Sequence, residues 1–180
     1  MTFKEIILII LGGVLTNNFV FEKLMGVTPV LNNGKCVRTA LSIGTGTAAV
    51  MLVSAAVTYP ILSAIGSSGA SFLSVPIALA VILLLSYLLK LLLKKPMGIW
   101  FPLVALNSAV LGLCIGNAEA GFGVAMLTAL GAALGFVAAL LLYAGVRGRI
   151  DEKAVPESFR GLPVSLLIGF IISLALVAYK

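Results

Sequence analysis

The sequence contains no histidine, and only six of its 180 residues are acidic. A serine or cysteine nucleophile therefore has no imidazole base to activate it. The few acids fall in connecting stretches, so hydrolytic catalysis by this chain alone has no support. The two cysteines, Cys36 and Cys114, show no Cys-x-x-Cys spacing and have no histidine to join them, which removes a zinc site. Their spacing does not decide whether they pair. Charge of either sign is scarce: 10% of residues are charged and 61% are apolar, with a mean hydropathy of +1.21. Soluble domains carry about 25% charged residues, and these side chains are too few to clothe one. No carboxylate lies clearly inside an apolar run, which argues against a conventional proton relay. The glycines of Gly44-Thr45-Gly46-Thr47 are not followed by the Lys-Ser/Thr of a phosphate loop. The net charge of +6 comes without any aromatic-basic motif, so it points to membrane topology and not to nucleic acid.

What the chain does have is apolar length. Runs approaching the ~20 residues of a spanning helix fall at 6–25, 39–62, 72–93, 99–117, 122–146 and 163–179. The reading is an all-α integral membrane protein, a single membrane domain over 1–180 with six transmembrane helices. The start, Met1-Thr2-Phe3-Lys4-Glu5, has one positive charge, an adjacent acid and no clean small-residue cleavage site. It reads as a retained first span and not as a signal peptide. The connections are 27–37 with Pro29, 65–70 rich in Gly and Ser, Lys94-Lys95-Pro96, the loop containing Glu119, and the long polar loop 147–163. With the amino terminus on one side, the first, third and fifth loops lie on the other. They hold Lys23, Lys35, Arg38, Lys90, Lys94, Lys95, Arg147, Arg149, Lys153 and Arg160, ten of the twelve Lys and Arg. The positive-inside rule then places those loops in the cytoplasm and both termini outside. So strong a bias argues against dual insertion and an antiparallel homodimer.

Two of the apolar runs are interrupted in matched places. Leu15-Thr16-Asn17-Asn18-Phe19-Val20 breaks the first, and Leu106-Asn107-Ser108-Ala109-Val110 breaks the fourth. At a spacing of 89 residues Asn18 meets Asn107, Thr39-Ala40-Leu41 meets Thr128-Ala129-Leu130, and Gly46 meets Gly135. This register divides the chain into repeats of about 4–93 and 97–180. With three spans each, the second copy runs inverted, and inverted repeats place broken helices and a site near the midplane. Asn17, Asn18, Asn107 and Ser108 are the candidate site residues, on first and fourth helices broken near the midplane. The plainer reading of the same amides is interhelical hydrogen bonding that holds the bundle together. Gly44, Gly46, Gly131 and Gly135 read as close helix packing. Glu22 and Lys23 are placed to pair at the interface, and Glu119 reads as a solvated loop carboxylate.

Three stretches together resemble the RnfA/NqrE family of small six-span subunits of Rnf and Nqr ion-pumping electron-transport complexes. They are Asn17-Asn18-Phe19-Val20-Phe21-Glu22-Lys23-Leu24-Met25-Gly26, then Gly98-Ile99-Trp100-Phe101-Pro102-Leu103 with Asn107-Ser108-Ala109-Val110-Leu111-Gly112, and Val155-Pro156-Glu157-Ser158-Phe159-Arg160-Gly161. The last resembles RnfA more than the sister RnfE/NqrD branch. The resemblance implies a multi-pass protein of a bacterial or archaeal cytoplasmic membrane, in contact with lipid, with other complex subunits and with an oppositely oriented RnfE/NqrD-like subunit. It also implies a 2Fe–2S cluster shared with that sister subunit, held by one cysteine after the first-span glycine and one after the fourth-span asparagine. Such a cluster generally takes four thiolates. The matching positions here are Thr28 and Ser108, neither of them cysteine. Cys36 and Cys114 stand elsewhere, and no metal ligands are assigned to this chain. The expectation is an RnfA-like membrane subunit of an ion-translocating oxidoreductase complex, non-catalytic by itself and without its own cluster. The alternative is a cluster-free ion or small-solute transporter or channel half on the same inverted-repeat fold.

Overall fold

The computed structural model describes residues 3–32, 36–67, 71–93, 107–117 and 121–177. Among these residues the chain forms seven α-helices and no strand: α1 (Phe3–Val14), α2 (Val27–Asn32), α3 (Val37–Ser67), α4 (Ser74–Leu93), α5 (Ser108–Gly116), α6 (Phe122–Gly148) and α7 (Leu162–Val177). In hydrocarbon every backbone N–H and C=O must find a partner inside the protein, and a helix does this within one segment. The apolar runs accordingly become helices. Three of the described helices are long and apolar enough to cross a membrane, over Val37–Gly66, Ser74–Leu91 and Phe122–Gly148, and Leu162–Leu176 is a shorter apolar helix. The first expected span, 6–25, is helical as α1 only to Val14 and irregular beyond it, and α2 falls within the expected 27–37 connection. The described part of the fourth span is α5. Its first half, with the Gly98-to-Leu103 stretch, lies outside the described residues, as do Lys94-Lys95-Pro96, Lys35 and Glu119.

The core is built on α6. Its small residues let neighbouring helices approach closely. Ala129, Ala132, Ala133, Phe136, Ala139 and Leu140 are buried against Ala40, Ile43, Val50 and Met51 of α3. Helix α1 packs along the first half of α6, with Ile10 beside Gly131 and Val14 beside Gly135. A Cβ on Gly135 would lie 2.5 Å from the Gly13 carbonyl oxygen, and one on Gly13 would lie 2.8 Å from Gly131. These glycines are what allows the crossing. The hydroxyls of Thr47, Thr58, Thr128, Ser165 and Ser173 turn back on carbonyls four residues earlier, which keeps them satisfied without water. The Tyr143 hydroxyl donates to the Ser165 carbonyl at 3.2 Å and ties α6 to α7. Apolar side chains cover the outside, among them Leu84, Leu88 and Leu91 on α4 and Leu166, Phe170 and Leu174 on α7.

Candidate functional site

The first break begins where α1 runs out of ordinary helix bonding. The Asn17 N–H reaches back five residues to the Gly12 carbonyl at 2.6 Å, a widened turn. Asn18 then takes over as backbone partner. Its Nδ2 donates to the Val14 carbonyl at 2.9 Å and to the Gly135 carbonyl at 3.1 Å. Its Oδ1 accepts from the N–H groups of Val20 at 2.9 Å and Phe21 at 3.4 Å. Only 2% exposed, this side chain closes the ladder that the helix leaves open. Gly135 is the central residue of α6, so the break sits halfway along the helix at the core. The chain next passes through two left-handed positions, Leu24 at φ +52° and Gly26 at φ +72°. For leucine that conformation is strained by about 1 kcal/mol or more.

The second break repeats the device. Asn107, with extended φ −83° and ψ 117°, caps α5, and its Oδ1 accepts from the Ala109 N–H at 2.9 Å. That is the same acceptance from two residues on that Asn18 makes from Val20. The two breaks then touch: the Gly26 N–H donates to Ser108 Oγ at 2.8 Å. A Cβ on Gly26 would meet Asn107 Oδ1 at 2.7 Å and Phe136 at 2.8 Å, so only glycine fits between them. Thr28 lies two residues beyond Gly26, exposed in the first turn of α2. Asn17 is also exposed, on the other side of the break. Asn107 and Ser108 therefore meet at Gly26, Asn18 is tied to α6 at Gly135, and Asn17 and Thr28 are exposed at the edges.

Two cavities flank that point. One, of about 570 Å3, lies towards the ends where α1 and α6 begin, between Ile9, Asn17, Lys23, Leu113, Asn117 and Thr128. The other, of about 350 Å3, is lined by Glu22, Leu24, Val27, Tyr143, Phe170 and Ser173, towards the far half of α6. Lys23 lines the first cavity and Glu22 the second. The Lys23 ammonium lies 4.3 Å from the centre of the Phe19 ring, a cation–π contact. Sequence reasoning missed this contact, because a lysine at a span end reads as an interface residue. It also placed Arg147 in a polar loop, whereas Arg147 is 6% exposed in the last turn of α6. The loop stretch 155–161 is shaped by Arg160, whose Nε donates to the Val155 carbonyl at 2.9 Å and whose guanidinium lies 3.7 Å from Glu157.

The residues at the break do not fit an iron–sulfur cluster. Thr28 and Ser108 offer neutral hydroxyls where thiolates are needed, and the Ser108 hydroxyl is already bonded to Gly26. The thiols sit apart from the break's hydrogen bonds. Cys36 is exposed just before α3, and Cys114, 2% exposed, is buried on α5. The Thr39 hydroxyl first, then the Thr39 and Arg38 amides, hold the Cys36 thiol below its ordinary pKa.

Residues 6–180 match the family described as Rnf-Nqr subunit, membrane protein. The chain is 32% identical to the A subunit of the Na(+)-translocating ferredoxin:NAD(+) oxidoreductase complex of Acetobacterium woodii, over 97% of this chain and 96% of that protein. It is 32% identical to the A subunit of the ion-translocating oxidoreductase complex of Syntrophotalea carbinolica, over 98% and 96%. The corresponding protein of Vibrio cholerae is 29% identical over 99% and 89%. With its apolar helices and a match along nearly its whole length, the chain belongs to the Rnf-Nqr family of membrane subunits.

Proposed function

We propose that this chain is the A-type membrane subunit of an ion-translocating oxidoreductase complex, and that it works there without an iron–sulfur cluster of its own. The full-length likeness to the A subunits of such complexes carries the first half of this reading. The Ser108 hydroxyl at the meeting point of the two breaks, and the exposed hydroxyl of Thr28 at its edge, support the second. In this reading the chain pairs with an oppositely oriented RnfE/NqrD-like subunit in a cytoplasmic membrane, both termini outward and basic loops cytoplasmic. The inverted repeat is supported by the shared asparagine cap and by α4 and α7, which begin 88 residues apart, one short of the repeat spacing. The break and its two cavities form part of the route for the ion, and this chain supplies packing and gating to a relay carried by its partners.

Co-expression with the remaining subunits and purification in mild detergent tests this directly. The expected outcome is a stable complex containing this chain, which drives 22Na+ or proton uptake into liposomes only when its redox substrates are present. A chain that purifies apart from redox subunits and moves solute without them would overturn the proposal. That result would favour a transporter half, a reading for which the replacement of both thiolate positions by hydroxyls is the specific observation.

A further inference from the structure

The hydrogen bond that ties the first break to the core has no counterpart at the second among the described residues. Asn18 Nδ2 crosses to the Gly135 carbonyl of α6 at 3.1 Å. The 89-residue register that sets Asn18 on Asn107 also sets Gly135 on Gly46 of α3. The equivalent bond therefore runs from Asn107 Nδ2 to the Gly46 carbonyl. Asn107 is 4% exposed, and its Nδ2 has no acceptor among the described residues. Glycine admits the amide at the first joint, since a Cβ on Gly135 would lie 3.2 Å from Asn18 Nδ2. Gly46 offers the same opening. The hydroxyls on either side of it are spent on their own helix, Thr45 on the Leu41 carbonyl at 2.8 Å and Thr47 on the Ile43 carbonyl at 2.9 Å. Donor and acceptor also share a level of the core. Helices α3 and α5 pack against each other, Gly44 of α3 faces Val137 and Leu140, and Asn107 Oδ1 closes with Phe136 on Gly26. Phe136 adjoins Val137, so Asn107 and Gly46 stand within about one helical turn, ~5 Å, along the bundle.

We propose that Asn107 alternates between its position in this structure, beside Gly26, and a second in which its Nδ2 takes the Gly46 carbonyl. The inference rests on the inverted-repeat reading above. Ser108 is the next residue, so movement towards Gly46 breaks the 2.8 Å bond from the Gly26 N–H to Ser108 Oγ and withdraws the side chain that closes on Gly26. The second break is then a two-position joint, fastened either to the first break or to α3. The buried donor left without an acceptor weighs against the first position by about tenfold, and the bond between Gly26 and Ser108 weighs for it.

Met25 is a native reporter of this joint, because a Cβ on Gly112 of α5 would lie 2.5 Å from its sulfur and 3.7 Å from the Phe19 ring. Methyl-labelled methionine NMR on the detergent-purified complex, with the Met25 signal assigned by Met25→Leu, reads exchange as relaxation dispersion or as a second peak. Wild type is expected to show exchange at Met25. Asn107→Ala and Gly46→Ala are each expected to remove it, the first by deleting the donor and the second by placing a Cβ before the acceptor. Ser108→Ala is expected to raise the second population about threefold or more. Gly66→Ala, where a Cβ meets nothing within 4 Å, is the control on α3 and keeps the exchange. If Gly46→Ala lowers assembly, judged by co-elution with the other subunits, Asn107→Ala decides. The proposal is overturned if neither wild type nor Ser108→Ala shows exchange, or if exchange survives Asn107→Ala. Exchange that Asn107→Ala removes and an assembled Gly46→Ala leaves untouched overturns Gly46 as the acceptor. Failure of the subunit reading shows separately, as wild type that does not co-purify with redox subunits.

Discussion

Asn18 and Asn107 occupy equivalent positions, 89 residues apart, yet they are satisfied to different degrees. Both cap the backbone that follows by accepting from the N–H two residues on. Asn18 also spends its Nδ2 on Val14 and on Gly135, across the interface with α6. Asn107 is 4% exposed, and its Nδ2 has no acceptor among the described residues. A buried amide without a partner costs roughly 1–3 kcal/mol. Among the described residues the first break is therefore a finished structural joint, while the second keeps unused hydrogen-bonding capacity. The two are coupled through Gly26 and Ser108, so whatever shifts one reaches the other.

Substitutions at the two breaks separate these roles. Gly26→Ala strikes both at once: it puts alanine at φ +72° and drives its Cβ into Asn107 and Phe136. The expected loss is about 3 kcal/mol, from left-handed strain and overpacking together, measured by SDS titration in mixed micelles. Asn18→Ala leaves the Val20 and Phe21 amides without their acceptor and is expected to cost about 2 kcal/mol. Asn107→Ala loses one cap and at the same time removes a buried donor that is unpartnered among the described residues, so its expected cost is at most about 1 kcal/mol. Equal losses for the two asparagines would erase the asymmetry.

The smallest expected effect is chemical and concerns the two thiols. Cys36 stands at the amino-terminal end of α3, held below its ordinary pKa by Thr39 and Arg38. A lowered pKa means thiolate persists to lower pH, so maleimide labelling of Cys36 is expected to reach its half-maximal rate below the pH typical of a free thiol. Cys114, packed in the core, is expected to label only after unfolding. A membrane-impermeant maleimide applied to intact cells is expected to spare Cys36 if, as proposed, the basic first loop faces the cytoplasm. Labelling from outside would invert the topology.

Much of this is legible in the chain itself. An asparagine inside an apolar run has to be satisfied, and that pressure alone marks Asn18 and Asn107. The long helices α3, α4 and α6 follow from apolar length. Other features depend on where distant segments meet, and no local pattern announces them. Gly26 is required because Asn107 and Phe136 approach it. Lys23 and Glu22 are neighbours in sequence, but the irregular turn sends them to different cavities. Arg147 belongs by composition to a polar loop, yet α6 continues through it and buries it. The helix at Val27–Asn32 is hidden in the sequence because Pro29 and the following Asn-Asn-Gly read as a turn.

The central claim is that the polar centre of this Rnf-Nqr protein carries no thiolate-bound cluster. It is tested most directly by replacing both thiols, Cys36→Ser with Cys114→Ala, and comparing the anoxically purified complex with wild type for iron content and low-temperature EPR. Unchanged iron per complex and an unchanged spectrum are the expected result. Loss of a 2Fe–2S signal, with about two irons per complex, from the cysteine-free variant would contradict it.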